Sequence, residues 1–292
     1  MLQSLDLILN SPYLLSMLAG VVGLLVGSFL NVVIYRLPVM MHRNWSQECT
    51  EYLQLDNAPS KEEEPFNLML PLSRCPNCHT PIKPYQNIPV LSYVLLRGRC
   101  AHCNNPISVR YPLIEAFTCI ASALVAWHFG GTAQTLFALL LTWSLIALSF
   151  IDIDHQLLPD SITLPALWFG LFLSVFGLFS DAHSSIIGAI AGYLALWTVY
   201  HLFKLATGKE GMGFGDFKLL ALFGAWLGWQ YLPLIILLSS LVGAVIGIAM
   251  IIFVKRDHTI PIPFGPYLAA AGWIALIWGH EINQLYLIAV GL

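Results

Sequence analysis

Gly211-Met212-Gly213-Phe214-Gly215-Asp216-Phe217-Lys218-Leu219-Leu220 is a glycine-dense, charged segment that opens onto a different kind of sequence: from Leu219 to Val254 no Asp, Glu, Lys or Arg occurs. That run of 36 residues would form a helix too long for one crossing of a hydrocarbon core about 30 Å thick. The break Gly228-Trp229-Gln230-Tyr231-Leu232-Pro233 divides it into two spans. An ionisable group at the edge of such a run is costly to keep there and marks a functional site, unless it is a solvated turn residue. Both readings are open for Asp216 on this stretch alone. The alternating glycines Gly211, Gly213 and Gly215 remove side-chain bulk, so another backbone can approach closely.

The rest of the chain has the same character. Of its 292 residues 58% are hydrophobic and 10% charged, less than half the charged fraction of about 25% usual in globular chains. This composition predicts an all-α polytopic membrane protein lying in a lipid bilayer. No basic stripe or surplus of Lys and Arg is present, so nucleic acid is not an expected partner. The amino-terminal segment has no basic n-region and no small-residue cleavage site after a short apolar core, and it reads as a spanning helix and not as a cleaved signal.

About eight transmembrane helices are expected. The first runs from Pro12 to Tyr35, and a polar region follows to about Tyr111. Ala116 to Ile151 is again uncharged and breaks at Phe129–Gln134, giving spans near Pro112–Phe129 and Thr135–Ile151. A polar turn, Asp152–Ser161, leads to Ile162–Phe179, then Ser185–Leu205, a short sixth span, a fuller seventh, and an eighth from Tyr267 to about Ala289. The expected domains are 1–36 for the first helix, 37–111 for a small loop domain and 112–292 for the membrane core. All 13 Lys and Arg residues fall in or beside the loops after spans one, three, five and seven. The positive-inside rule then predicts an N-out, C-out topology with the large loop in the cytoplasm.

Topology supplies a partner for Asp216. The segment Phe150-Ile151-Asp152-Ile153-Asp154-His155-Gln156-Leu157-Leu158-Pro159-Asp160 is predicted at the same membrane edge. Two facing carboxylates near a low-dielectric boundary do not both ionise readily and titrate as a pair. Such a pair can activate a water and polarise a peptide carbonyl. These arguments do not separate Asp152 from Asp154. Asp160, just before Ser161, reads as a helix cap.

Cys75-Pro76-Asn77-Cys78 and Cys100-Ala101-His102-Cys103 form two C-x-x-C knuckles. At this spacing, in a loop predicted to face a reducing compartment, Cys75, Cys78, Cys100 and Cys103 are expected to hold a tetrahedral Zn²⁺. Four thiolates leave no open position, so the metal is expected to be structural. His79 and His102 read as bystanders, and Cys49 and Cys119 as unpaired.

The segments Ile151–Asp160 and Gly211–Lys218 resemble the two signature motifs of the type IV prepilin leader peptidases, bifunctional bacterial inner-membrane aspartic peptidases and N-methyltransferases of the GxGD type. Gly27–Pro38, Tyr111–Glu115, Ile262–Tyr267 and the tetracysteine loop also match family segments, so the resemblance covers nearly the whole chain. It implies that Asp152 and Asp216 are the catalytic pair. It further implies prepilin or pseudopilin substrates, cleaved on the cytoplasmic side after a Gly and usually before a Phe. The new amino terminus would then be methylated from S-adenosylmethionine. No glycine-rich fingerprint of a soluble methyltransferase is present, so the methyl transfer rests on the resemblance.

Several residues carry weaker expectations. Gly213, Gly215 and Lys218 are candidates for contacting substrate, although Lys218 also reads as a membrane anchor. Glu115 is a candidate cofactor-binding acid, or a first-turn acid favoured by the helix dipole. Arg36 and Arg110 read as topology signals, His155 as a solvated turn residue, and Pro59–Pro65, with Lys61-Glu62-Glu63-Glu64, as a solvated linker. A presenilin-like protease and an ion-coupled transporter are the competing readings. The Asp-x-Asp turn ending in Leu-Pro-Asp and the tetracysteine loop weigh against the first. The position of the acids, at the membrane edge and not mid-membrane, weighs against the second.

Overall fold

A computed structural model describes residues 11–54, 66–254 and 262–290. The predicted linker Pro59–Pro65 and the basic loop Lys255–His258 lie outside the described residues. The chain is helical and forms two compact units, Met1–Thr135 and Leu136–Leu292. Among the described residues eight helices stand where eight spans are expected, and five stretches of them are long and apolar enough to cross a membrane.

The first unit is built on α1 (Pro12–Tyr52) and α3 (Arg110–Phe129), with the short α2 (Leu91–Leu95) between them. Ser11 caps α1 by accepting the Leu14 N–H, and Pro12 occupies the first helical position, where its missing N–H costs nothing. The predicted loop after Arg36 instead begins as helix, because apolarity marks where lipid ends and not where hydrogen bonding ends. Val39 to Glu51 contains no Gly or Pro, and the helix stops only at Leu53, before Gln54 with φ 50°. At 41 residues α1 is about 60 Å long, twice the hydrocarbon thickness.

α1 and α3 are antiparallel and closely packed: a Cβ on Gly27 would lie 2.8 Å from Glu115 Cα. Small residues that let backbones approach in this way replace the hydrophobic drive that lipid removes. Asn31 locks the pair by donating to Tyr111 O at 3.2 Å. Arg36 has a larger role than a topology signal. It is buried, donates to Asn67 O at 2.9 Å and Pro71 O at 2.6 Å, and so fastens the loop that leads to the cysteines.

The second unit comprises most of α4 (Ala133–His155), then α5 (Asp160–Ser174), α6 (Ala182–Thr207), α7 (Phe214–Leu227), α8 (Leu232–Val254) and α9 (Gly265–Val290). Its centre is α7, the short sixth span, which runs for 14 residues. From Asp216 to Leu227 every residue of α7 except Lys218 is buried, as expected of a helix apolar on all sides. α6 meets it through a glycine pair, where a Cβ on Gly224 would fall 2.1 Å from Gly188 O. Trp226 Nε1 donates to Ala166 O of α5 at 2.8 Å. α5 ends earlier than expected, because Gly177 takes φ 64° and the Gly177 and Leu178 N–H groups close the turn onto Ser174 O and Leu173 O.

Within this unit several helix ends come together. Contacts between Asp152 and Gly265, Asp160 and Lys218, and Tyr200 and Phe214 gather the ends of α4 and α6 and the starts of α5, α7 and α9 at one end.

Candidate active site

Asp152 lies in the last helical turns of α4, not in a turn as expected. The helix continues through His155, and Gln156 (φ 54°) ends it while donating its N–H to Asp152 O. This extra helical turn separates the two rival acids. Asp152 is buried at 6% exposure, whereas Asp154 is exposed on the other side of the helix. Asp152 Oδ2 accepts the backbone N–H of Gly265, the first residue of α9, at 3.0 Å.

Asp216 sits in the first turn of α7, where the unpaired N–H groups of a helix start favour a carboxylate. It is also 6% exposed. The two residues that composition and spacing place at one membrane edge lie at the same end of the second unit, where Leu158 faces both Gly215, next to Asp216, and Gly265, the donor to Asp152. Gly213 is the N-cap of α7, and the position of its missing Cβ lies 3.9 Å from Asp216 Oδ2. Gly215 does not face open space, since a Cβ there would be 2.8 Å from Leu158 Cβ.

Two members of this site were not marked from sequence. Gly265 belongs to a segment noted only for resemblance, and the signal available was a Gly between Phe264 and Pro266 at a helix start. Leu158 looked like an ordinary apolar residue of a turn. Asp160 is not the helix cap; Pro159 is. Asp160 occupies the first turn of α5, and both its carboxylate oxygens accept from Lys218 Nζ at 2.7 Å.

In the first unit the four cysteine sulfurs lie within 4.8 Å of one another. A Zn²⁺ with Zn–S bonds of about 2.3 Å places sulfurs about 3.8 Å apart along a tetrahedral edge, and Cys75 Sγ and Cys103 Sγ are 3.8 Å apart. The two knuckles repeat each other residue by residue. Cys75 N–H donates to Thr80 O as Cys100 N–H donates to Asn105 O, and His79 and Asn104 both take positive φ. The bridges Arg74–Pro81 and Arg99–Pro106 close both loops. Hydrogen bonding from Thr80 brings the Cys78 thiol down to about 6, so a thiolate is available for metal. The donor set fits a closed structural site.

Glu115 is not a first-turn acid, because α3 begins five residues earlier at Arg110. It is buried, accepts the Val90 N–H at 2.7 Å and bonds to Ser28. Both partners are neutral, and no ion pair compensates its charge among the described residues. Val90 itself forms a γ-turn (φ 58°, ψ −48°), its flanking Leu91 N–H bonding to Pro89 O.

Comparison with known proteins divides the chain along the same line as its fold. Residues 21–129 match the family described as Bacterial Peptidase A24 N-terminal domain, and residues 139–248 match the Type IV leader peptidase family. Over nearly its whole length the chain is similar to proteins named prepilin leader peptidase/N-methyltransferase. That of Stutzerimonas stutzeri is 56% identical over 282 residues, 97% of each chain. That of Pseudomonas aeruginosa is 55% identical over 283 residues, again 97% of each, and that of Neisseria gonorrhoeae 52% over 269 residues, 92% of each. No match was found among solved structures.

Proposed function

The chain belongs to the type IV leader peptidase family, and on that premise we propose that it removes the leader of prepilins or pseudopilins and methylates the new amino terminus. The observation that carries the peptidase assignment is that two buried acids, Asp152 and Asp216, lie at one end of a helical unit. One carboxylate, ionised, takes a proton from water as the water attacks the scissile carbonyl. The other, protonated, donates to the carbonyl oxygen. The proton then passes to the departing amine. Gly265 N–H fixes the orientation of Asp152 through this cycle. Gly213 leaves room beside Asp216 for an extended substrate backbone, with the bond cut after a Gly and usually before a Phe.

The protein resides in the bacterial inner membrane with both termini outside, so the acids lie at the cytoplasmic face, where a substrate anchored by an apolar helix presents its leader. Zn²⁺ held by Cys75, Cys78, Cys100 and Cys103 folds the loop domain and takes no part in bond cleavage. S-adenosylmethionine supplies an electrophilic methyl group on a sulfonium centre. Glu115, a buried carboxylate with neutral partners, attracts that cation. Division of labour follows the two units, with methyl transfer in the first and proteolysis in the second.

The test is leader cleavage of a prepilin by purified protein in detergent. Asp152→Asn and Asp216→Asn should each abolish it, and Asp154→Asn should leave it intact. Cleavage by either of the first two variants would remove that residue from the pair. Radiolabelled S-adenosylmethionine in the same reaction should label the product, and an unlabelled product would limit the activity to proteolysis.

A further inference from the structure

The two acids come from different helices. α7 is embraced by α5, α6 and α9, while α4, which carries Asp152, buries Ala138, Leu148 and Ile151 and meets α5 through Phe137 and Phe169 and α9 through Trp273 Nε1, which donates to Thr142 Oγ1 at 3.0 Å. Near the acids themselves the spacing of Asp152 and Asp216 is held by a few specific links. One is Gly265 N–H to Asp152. Another is the short connection from α4 to α5, which carries Leu158 and Asp160.

Leu158 is wedged between the neighbours of both acids. A Cβ on Gly215, beside Asp216, would lie 2.8 Å from Leu158 Cβ, and a Cβ on Gly265, the donor to Asp152, would lie 3.2 Å from Leu158 Cδ2. Two residues further on, Asp160 grips Lys218 through both oxygens at 2.7 Å. Lys218 is two residues after Asp216, so on a helix of 3.6 residues per turn it points to a different face. The pair can pull on α7 without entering the space between the acids.

We propose that Asp160 and Lys218 are positioning residues of the peptidase, a clamp that holds the α4–α5 connection against the start of α7 and thereby sets the spacing of Asp152 and Asp216. The clamp rests on the assignment of that pair as catalytic. The Lys218 and Asp160 side chains are 28% and 53% exposed, and ion pairs this open contribute little to global stability. Breaking the clamp should therefore change geometry at the reacting atoms and leave the fold and its melting temperature in place. Misplacement by about 1 Å reduces turnover by roughly 100-fold, so a partial release of the clamp should cost about 10- to 100-fold in kcat.

The experiment measures kcat and KM for leader cleavage with full-length protein in detergent. Lys218→Met and Asp160→Asn should each lower kcat with KM within about twofold, and the double variant should be no worse than either single one, as for partners in one interaction. The exchange Asp160→Lys with Lys218→Asp should restore much of the lost kcat, as should Lys218→Arg alone. Wild-type kcat in either single variant, additive losses in the double, or a rise in KM at constant kcat would overturn the clamp. Asp152→Asn and Asp216→Asn run in parallel. If they are active, the catalytic assignment fails. If they are inert while Lys218→Met retains full kcat, the clamp fails alone.

Discussion

The backbone N–H of Gly265 reaches across a sequence separation of 113 residues to donate to Asp152 Oδ2 at 3.0 Å. A Cβ at Gly265 would stand 2.6 Å from that same oxygen. The start of α9 thus serves as a fixed wall and a fixed donor for the carboxylate of α4, and only glycine allows both.

Gly265→Ala should push the Asp152 carboxylate off its donor and lower kcat for leader cleavage by about 100-fold, by the same misplacement argument. Steady-state cleavage assays decide it. Activity within a few-fold of wild type would mean that the carboxylate position is not set by this contact.

Glu115→Gln keeps the shape of the side chain and removes its charge. Losing a charge-assisted contact to a cationic donor should lower methyl incorporation by about 10- to 100-fold. Leader cleavage by the same variant should be unchanged, because Asp152 and Asp216 belong to the other unit. Quantifying label per cleaved substrate separates the two steps, and equal losses in both would refute the assignment.

Purified protein should contain one equivalent of zinc, and Cys75→Ser or Cys103→Ser protein less than one. Chelation should raise amide exchange between residues 73 and 107 while leaving α7 protected, since a structural metal stabilises its own small domain. A full equivalent in the Cys103→Ser protein would remove that sulfur from the ligand set.

Gly224→Val sets a branched side chain against Gly188 O, where even a Cβ would be 2.1 Å away. Overpacking of this kind should destabilise the second unit by about 3 kcal/mol, seen as a lower temperature of thermal inactivation in detergent. An unchanged temperature would mean that α6 and α7 separate freely.

The helices were legible because their signal is long: an uncharged run such as Leu219–Val254 can hardly be anything but membrane-embedded. Where helices end was less legible. α1 passes Arg36 and Pro38 without stopping, and α4 passes Asp152, because polarity changes at a membrane surface do not by themselves break hydrogen bonds. Of the site, Asp216 and the cysteines announced themselves by local pattern. Asp152 needed either the resemblance or the helix that turns it inward while turning Asp154 out. Gly265, Leu158 and the partnership of Asp160 with Lys218 were invisible, because each depends on segments that become neighbours only when α5, α7 and α9 share an end. The second role of Arg36 was hidden for the same reason, its carbonyl partners lying more than thirty residues away.

The shortness of α7 has a further consequence. Its 14 residues span about 21 Å, against about 30 Å of hydrocarbon. A lipid-facing helix so short would force the bilayer to thin or would have to recruit flanking residues to the interface. α7 is enclosed by protein and escapes that demand: α5, α6 and α9, and not lipid chains, meet its apolar surface. The bilayer therefore need not adapt to its length, and the helix is free to be as short as its neighbours allow.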